Sequence, residues 1–320
     1  MTKSEPTVAA VIVTWNSLAD IEICIGSLMI QSHHIDKIVV VDNGSTDGTA
    51  DLVADKFPHV HLISQTENVG FAEGNNIGIA VCASDWILTI NPDAYLDSRW
   101  VELLLGFAGA NTRIGALTGL LYRDSNEDEG SIIDTTGIEI FASRRVRDRG
   151  FSEPMSNRYK NAEQVFGACA AAALYRSDML EDIKVDGEIF PCRFFCYYED
   201  ADLAWRSWRR GWECWYVPQA LGWHKRGASP VGSKFSRYMT HRNRLWMIAR
   251  NESILKTIVS QPELFFHGVL MFLRMLRYPY LFKATWEAIS GYRQSVHERE
   301  QLRSKTEANP PFYKGVGFGK

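Results

Sequence analysis

The sequence lacks both glycine-rich phosphate signatures: no GxGxxG follows its first strand-like run and no GxxxxGK[ST] occurs anywhere. Neither a dinucleotide fold of the usual kind nor a Walker-type triphosphatase is supported, so any nucleotide must be held another way. The six cysteines (Cys24, Cys82, Cys169, Cys192, Cys196 and Cys214) form no CxxC pair, and the polar N-terminus shows no cleavable targeting pattern. Buried reduced thiols in a cytoplasmic protein are expected. A zinc set of Cys192, Cys196, Cys214 and His224 is disfavoured by the four-residue step and the aromatics between. Aspartate is missing from residue 225 onward, where 17 Lys+Arg face 6 Glu, a balance of +11 in a chain of net charge −3. That asymmetry points to an anionic partner surface, membrane or polyphosphate.

With 46% hydrophobic and 23% charged residues, the 320-residue chain can build one large or two modest cores. Residues 8–13 are a continuous apolar run, as in a strand buried on both faces. Leu18, Ile21, Ile25 and Leu28 follow at helical spacing behind an Asn16-Ser17 cap. Residues 38–41 form a second run that ends in the turn-rich Asp42-Asn43-Gly44-Ser45-Thr46-Asp47-Gly48-Thr49, and a short helix reaches Phe57. Strands at 60–63 and 86–90 flank a helix at 70–83, and Asn91-Pro92-Asp93 stops the last strand. Alternating strands and helices predict an α/β fold with a mostly parallel central sheet and flanking helices. Ligands of such sheets sit outside the carboxyl ends of the strands. Those ends carry Thr14-Trp15-Asn16, Asp42-Asn43-Gly44 and Asn91-Pro92-Asp93, three polar loops around one nucleotide-sized crevice.

Beyond residue 115 the pattern turns irregular, with a charged insert at 124–130 and an arginine cluster at Arg144, Arg145, Arg147 and Arg149. The cluster reads as a solvated loop or as a contact for a phosphorylated acceptor. Small apolar residues at 165–175 form a floor, and behind them Glu199, Asp200 and Asp202 crowd against Phe195, Tyr197 and Tyr198. Desolvation and mutual repulsion make such a cluster costly, which suggests acid/base chemistry. A helix N-terminus would accommodate the same carboxylates, so both readings stand at this point.

Six segments in order resemble the inverting family 2 glycosyltransferases of the GT-A fold, a Rossmann-like architecture, and particularly the bacterial rhamnosyltransferase-like branch. They are Val11-Ile12-Val13-Thr14-Trp15-Asn16, the 39–49 segment, Glu67-Asn68-Val69-Gly70-Phe71-Ala72 with Asn75-Asn76, Asn91-Pro92-Asp93, Tyr198 through Arg206, and His224. The resemblance covers about residues 8 to 229. It implies that Asp200 is the base that deprotonates the acceptor hydroxyl, with Glu199 and Asp202 shaping its field and raising its pKa. It implies a nucleotide site of Thr14, Asn16, Asp42, Asn43, Gly70 and Asn75, with Asp42 receiving a pyrimidine N3–H. Asn91 and Asp93 would face the donor diphosphate and sugar, and Asp93 with His224 would hold Mg²⁺ or Mn²⁺. Asn91 replaces the first acidic residue of the family's Asp-x-Asp motif. Glu199 and Trp205 are candidates for the acceptor pocket, or Trp205 for core packing.

Residues 264–282 are strongly apolar but interrupted by His267, Arg274, Arg277 and Pro279, which suits an interfacial element better than a crossing helix. A helix packed on the catalytic domain or across a homodimer seam is the alternative. The division expected is 1–115 for the nucleotide-sugar half, 116–245 for the acceptor and catalytic half, and 246–320 for a basic helical extension. The function expected is transfer of a sugar, L-rhamnose being one candidate, from a dTDP- or UDP-linked donor to a glycan or polyprenyl-linked acceptor in cell-wall or polysaccharide biosynthesis. The protein would be cytoplasmic or peripheral on the inner face of the membrane, with no nucleic-acid partner. A nucleotidyltransferase or a nucleotide-sugar-binding scaffold without catalysis are the rivals.

Overall fold

The computed structural model describes residues 5–123, 132–141, 143–226, 233–252 and 262–305, and the charged insert at 124–130 lies outside them. Its centre is a sheet in the order Glu163–Gln164, Glu213–His224, Ile114–Arg123, Ala172–Arg176, Trp86–Ile90, Val8–Thr14, Lys37–Asp42, His61–Ser64. Strands β1 (Val8–Thr14), β2 (Lys37–Asp42), β3 (His61–Ser64) and β4 (Trp86–Ile90) are mutually parallel, as the sequence pattern predicts. Val8, Ala10 and Ile12 point into one core and Ala9, Val11 and Val13 into the other, which is why the run shows no polar alternation. Helices α1 (Ile21–Met29), α2 (Thr49–Lys56), α3 (Phe71–Ala80), α4 (Trp100–Ala108) and the short α5 (Ser177–Asp182) flank the sheet. Helix α3 lies close on β1 because Gly74 and Gly78 carry no Cβ: one at Gly74 would fall 2.6 Å from Val13 Cγ1.

Three expectations are corrected. Helix α1 starts at Ile21, and Leu18 is exposed before it, because the carbonyl of Ser17 takes the amides of Asp20 and Ile21 in a preceding turn. The stretch beyond 115 is not irregular: β6 (Ile114–Arg123), β11 (Ala172–Arg176) and β12 (Glu213–His224) extend the sheet, with short β5 (Ala94–Leu96), β7 (Ile133–Thr135) and β10 (Glu163–Gln164) beside them. Glycines at 115 and 119 of β6 dilute the strand signature yet admit Met179 and the backbone of Ala220. Strand β11 runs antiparallel between β4 and β6, while β12 is parallel to β6. The arginine cluster is a solvated loop only in part, since Arg145 and Arg147 are exposed but Arg144 and Arg149 are not. Arg144 is buried on Glu252, Arg149 is buried on Glu163 and Thr136, and Arg147 pairs with Glu139, where strands β8 (Ile138–Ile140) and β9 (Val146–Asp148) make a second small sheet.

The expected boundary at 115/116 falls inside β6, and that at 245/246 inside helix α7 (Lys234–Asn251). Helices Pro262–Arg277, Tyr280–Ser290 and Tyr292–Lys305 follow, with Pro279 at the break between the first two. Phe194, Trp205, Trp246, Met247 and Ala288 form a third core that joins this extension to helix α6 (Glu199–Arg209). Among the described residues no helix is long and apolar enough to cross a membrane.

Candidate active site

A cavity of about 930 Å³ opens across the carboxyl ends of β1, β2 and β4, at the upper end of the range for ligand sites. The structure brings Thr14, Asn43, Gly70, Asn91, Asp93, Glu199, Asp200 and His224 onto its walls. Asn16, Asp42 and Asn75 do not line it. Asn16 instead stitches two loops, its amide on Ser45 Oγ (2.8 Å) and its Oδ1 on the Thr46 amide (2.8 Å). The Asp42 carboxylate is buried and accepts the Ser45 amide (3.0 Å) and hydroxyl (2.5 Å). Asn75 is buried and donates back to Phe71 within α3. Trp205 belongs to the third core, not to the cavity.

Thr14 Oγ1, Asn43 Oδ1 and Glu199 Oε2 are buried on these walls without a hydrogen-bond partner. Buried polar atoms are normally satisfied, so three orphans around one cavity suit a polar ligand. Gly70 (φ +93°) serves the packing of the wall, since a Cβ there would lie 2.7 Å from the carbonyl oxygen of Phe195 and 2.6 Å from its ring.

Strand pairing assembles the next group. Strand β12 pairs with β5 so that His224 lies opposite Ala94, and the Lys225 amide donates to the Asp93 carbonyl at 3.0 Å. His224 Nε2 is thereby 3.1 Å from Asp93 Oδ1 and 3.3 Å from the Asn91 amide nitrogen, while Nδ1 meets Asp134 Oδ2 at 2.9 Å. Burial alone would push the imidazole down, but hydrogen bonds to Asp134 and Asp93 outweigh it and raise the pKa to about 9. A carboxylate on the far ring nitrogen is the arrangement that orients a metal-ligating histidine. No group of three or more His, Cys, Asp or Glu fit for a metal occurs among the described residues. Asp93 and His224 alone do not make a closed structural metal site.

The carboxylates of α6 have separate fates. The helix begins at Glu199, so the three carboxylates do lie in its first turn, where the dipole favours acids, but none of them caps it: the N-cap residue is Tyr198. Asp202 does not shape the field of Asp200: it is fully buried against Arg206 (2.8 Å), Arg250 (3.1 Å) and Asn251 (2.9 Å). Burial would raise its carboxyl, but the two arginines hold it below the ordinary value. Asp200 accepts the amides of Ala201 (2.7 Å) and Ala170 (3.4 Å), the latter from the floor segment. Burial, then the charge of Asp148, raises its pKa to about 6, a value suited to a base. Glu199 is pushed well up by burial and by Asp200.

The turn that delivers this helix is strained. Phe195, Tyr197 and Tyr198 all have positive φ (66°, 70° and 73°), uncommon for bulky residues. Asn243, fully buried on α7, holds the turn by donating from Nδ2 to the carbonyls of Phe194, Cys196 and Tyr197 at 2.8–2.9 Å. Asn243, Asp134 and Asp148 carry no sequence motif, and sequence reasoning missed them. Arg226 pairs with both Asp134 and Asp148 (2.5 Å to the latter).

A family model described as glycosyl transferase family 2 matches residues 9–184, more than half of the chain. The chain belongs to that family. Over 261 residues it is 27% identical to the N-acetylglucosaminyl-diphospho-decaprenol L-rhamnosyltransferase of Mycobacterium tuberculosis strain H37Rv, covering 75% of this chain and 82% of the relative. Two solved structures share the fold. GalNAc-T7 with UDP, GalNAc and Mn²⁺ superposes with a TM-score of 0.59 at 12% identity, over 77% of this chain and 48% of that one. The Pyrobaculum calidifontis mannosyltransferase PcManGT with GDP-Man and Mn²⁺ gives 0.55 at 16% identity, over 94% and 86%. This family 2 protein is therefore a glycosyltransferase with a GT-A fold and a C-terminal helical extension, and neither the nucleotidyltransferase nor the scaffold reading is favoured.

Proposed function

We propose that this glycosyltransferase moves a sugar, L-rhamnose by similarity to the mycobacterial relative, from a dTDP- or UDP-linked donor to a hydroxyl of a lipid-linked acceptor, with inversion. One observation carries the reading: Asp200, with its raised pKa, and the Asp93–His224 pair open on the same cavity. The nucleoside would lie toward Thr14 and Asn43, whose orphan oxygens await a polar partner. Asp42 would act behind Asn43, through the loop it braces. The diphosphate would reach Asn91, Asp93 and His224. A Mg²⁺ or Mn²⁺ ion bound there would supply positive charge to the leaving diphosphate.

Asp200 removes the proton from the acceptor oxygen as that oxygen bonds to the anomeric carbon, and the bond from that carbon to the diphosphate breaks with its electron pair. Attack from the face opposite the leaving group inverts the centre. Phe195, Tyr197 and Phe235 on the cavity wall would limit water around the reacting groups. The site would work at the inner face of the membrane, with the basic extension toward the lipid.

A screen of dTDP-, UDP- and GDP-sugars with and without Mg²⁺ or Mn²⁺, followed by NMR assignment of the product anomer, tests the reading. Retention of the donor's configuration, or no turnover of any nucleotide sugar, would overturn it.

A further inference from the structure

Four arginines line the cavity, and two of them are already committed: Arg147 to Glu139 (2.5 Å) and Arg226 to Asp134 and Asp148. Arg237 and Arg274 have no carboxylate partner among the described residues. Arg237 lies over the ring of Tyr278 at 5.0 Å, a contact that orients the guanidinium and leaves its charge uncompensated. We propose that Arg237 and Arg274 form a second anion subsite, which takes the phosphate linking the acceptor sugar to its isoprenoid lipid. This inference rests on the transferase reading above and names the acceptor class of that site.

The placement decides which substrate meets these cations. The donor diphosphate belongs at Asn91, Asp93 and His224, built from the β4–β5 turn and the end of β12. Arg237 comes from α7, which packs against the helix that carries Asp200, and Arg274 from the Pro262–Arg277 helix; both line the same cavity as the base. The field of Arg274 reaches Tyr198, next to Glu199 and Asp200, where burial raises the phenol and nearby arginines oppose it. It also reaches His241 on α7, held down to about 4 by burial, Arg244 and Arg274 in that order. An acceptor that presents a hydroxyl to Asp200 would have this wall of the cavity for its remaining mass.

The surroundings match an anion joined to hydrocarbon. Guanidinium groups bind phosphate oxygens in a directed, bidentate manner. Next to Arg237, Phe235 is 46% exposed, and the helix that carries Arg274 exposes Leu270 and Leu273. A free phosphate would use the arginines alone, whereas a lipid diphosphate would use both features.

The test uses the full chain saturated with UDP or dTDP and Mg²⁺, so that the donor site is filled. Geranyl diphosphate, inorganic pyrophosphate and geraniol are then titrated separately by calorimetry. Geranyl diphosphate should bind beside the nucleotide, with the other two about tenfold or more weaker. Arg237→Gln/Arg274→Gln should weaken geranyl diphosphate about tenfold or more and leave nucleotide affinity unchanged, which also shows that the variant is folded. Arg237→Lys/Arg274→Lys should recover part of the loss. Displacement of the nucleotide by geranyl diphosphate, wild-type binding by the glutamine variant, or pyrophosphate binding as tightly as the lipid analogue would each overturn the subsite. Donor hydrolysis without acceptor reports on the transferase reading separately, so the two failures are distinguishable.

Discussion

Asp202, two residues after Asp200, and Glu298, in the Tyr292–Lys305 helix, share one buried arginine: Arg250 Nε donates to Asp202 Oδ1 at 3.1 Å and Nη1 pairs with Glu298. Glu298 also takes Arg193 Nη2 at 2.7 Å. The extension is thus clamped to the start of the helix that carries the candidate base. Removing one partner of a buried ion pair leaves an uncompensated charge, at a cost of about 3–5 kcal/mol. Glu298→Ala should lower the urea midpoint accordingly, with the slope unchanged. A wild-type midpoint would show that the clamp contributes nothing to stability.

Asp200→Asn should lower turnover by about 100-fold or more and leave donor affinity nearly unchanged, because the base acts on the transition state. The pH dependence follows from the raised carboxyl. The working form is ionised, so kcat/KM of the wild type should rise with pH through about 6 and then level. The asparagine variant should lack that limb. An acid limb that persists unchanged in Asp200→Asn would assign it to another group.

Asn243→Ala should release the carbonyls of Phe194, Cys196 and Tyr197 and let the positive-φ turn relax. The Phe194 carbonyl keeps the Cys196 amide and Arg242, so the cost falls mainly at the Cys196 carbonyl, at about 1–3 kcal/mol for a buried group left unsatisfied. The loss should appear in stability and in kcat together, since Asp200 follows the turn directly. A variant with lowered stability but wild-type kcat would make the turn a folding feature alone.

The parallel half of the fold was legible because its strands are uniform apolar runs with turn-rich ends. Trp86–Ile90 emerges with the bounds read from the sequence. Strand β6 was not legible, since its glycines serve neighbours distant in sequence, Met179 and Ala220. The Asp93–His224 meeting was legible only through resemblance, because the β5–β12 ladder that creates it spans 131 residues. Asp148 was invisible as the partner of Asp200: its segment reads as one more charged loop, and Asp202 stood closer in sequence. Proximity along a helix misled there, since residues two apart face different ways.

Asp93→Ala and His224→Ala should each weaken metal-dependent donor binding, and the double variant should lose little more than either single one, because both touch one site. Calorimetry with the nucleotide sugar and Mn²⁺, repeated with EDTA, checks this without any turnover. Without an ion, Lys225 and Arg226 are the cations next to His224 in sequence that could meet the diphosphate, but they are held by Asp20 (2.8 Å) and by Asp134 and Asp148. Donor affinity that is insensitive to EDTA would remove the metal from the scheme.

The last prediction concerns the membrane. Phe272, Leu273 and Leu276 of the Pro262–Arg277 helix, and Phe282, Trp286 and Ile289 of the next, are 43–71% exposed, beside exposed Arg277 and Lys283. An exposed apolar surface with basic neighbours suits an anionic bilayer interface. Basic residues there contribute about 1 kcal/mol each and are screened by salt, whereas apolar insertion is not. Ending the chain near Arg250 would remove Glu298 and break the buried clamp, so surface substitutions are the cleaner probe. Phe272→Glu/Leu273→Glu should leave the urea midpoint within about 0.5 kcal/mol of wild type, as expected for surface positions. In flotation with phosphatidylglycerol vesicles the wild type should float, partly resist high salt, and exceed the variant about tenfold or more in bound fraction over free. Equal flotation of the two proteins, or none by the wild type, would show that this face meets protein instead of lipid.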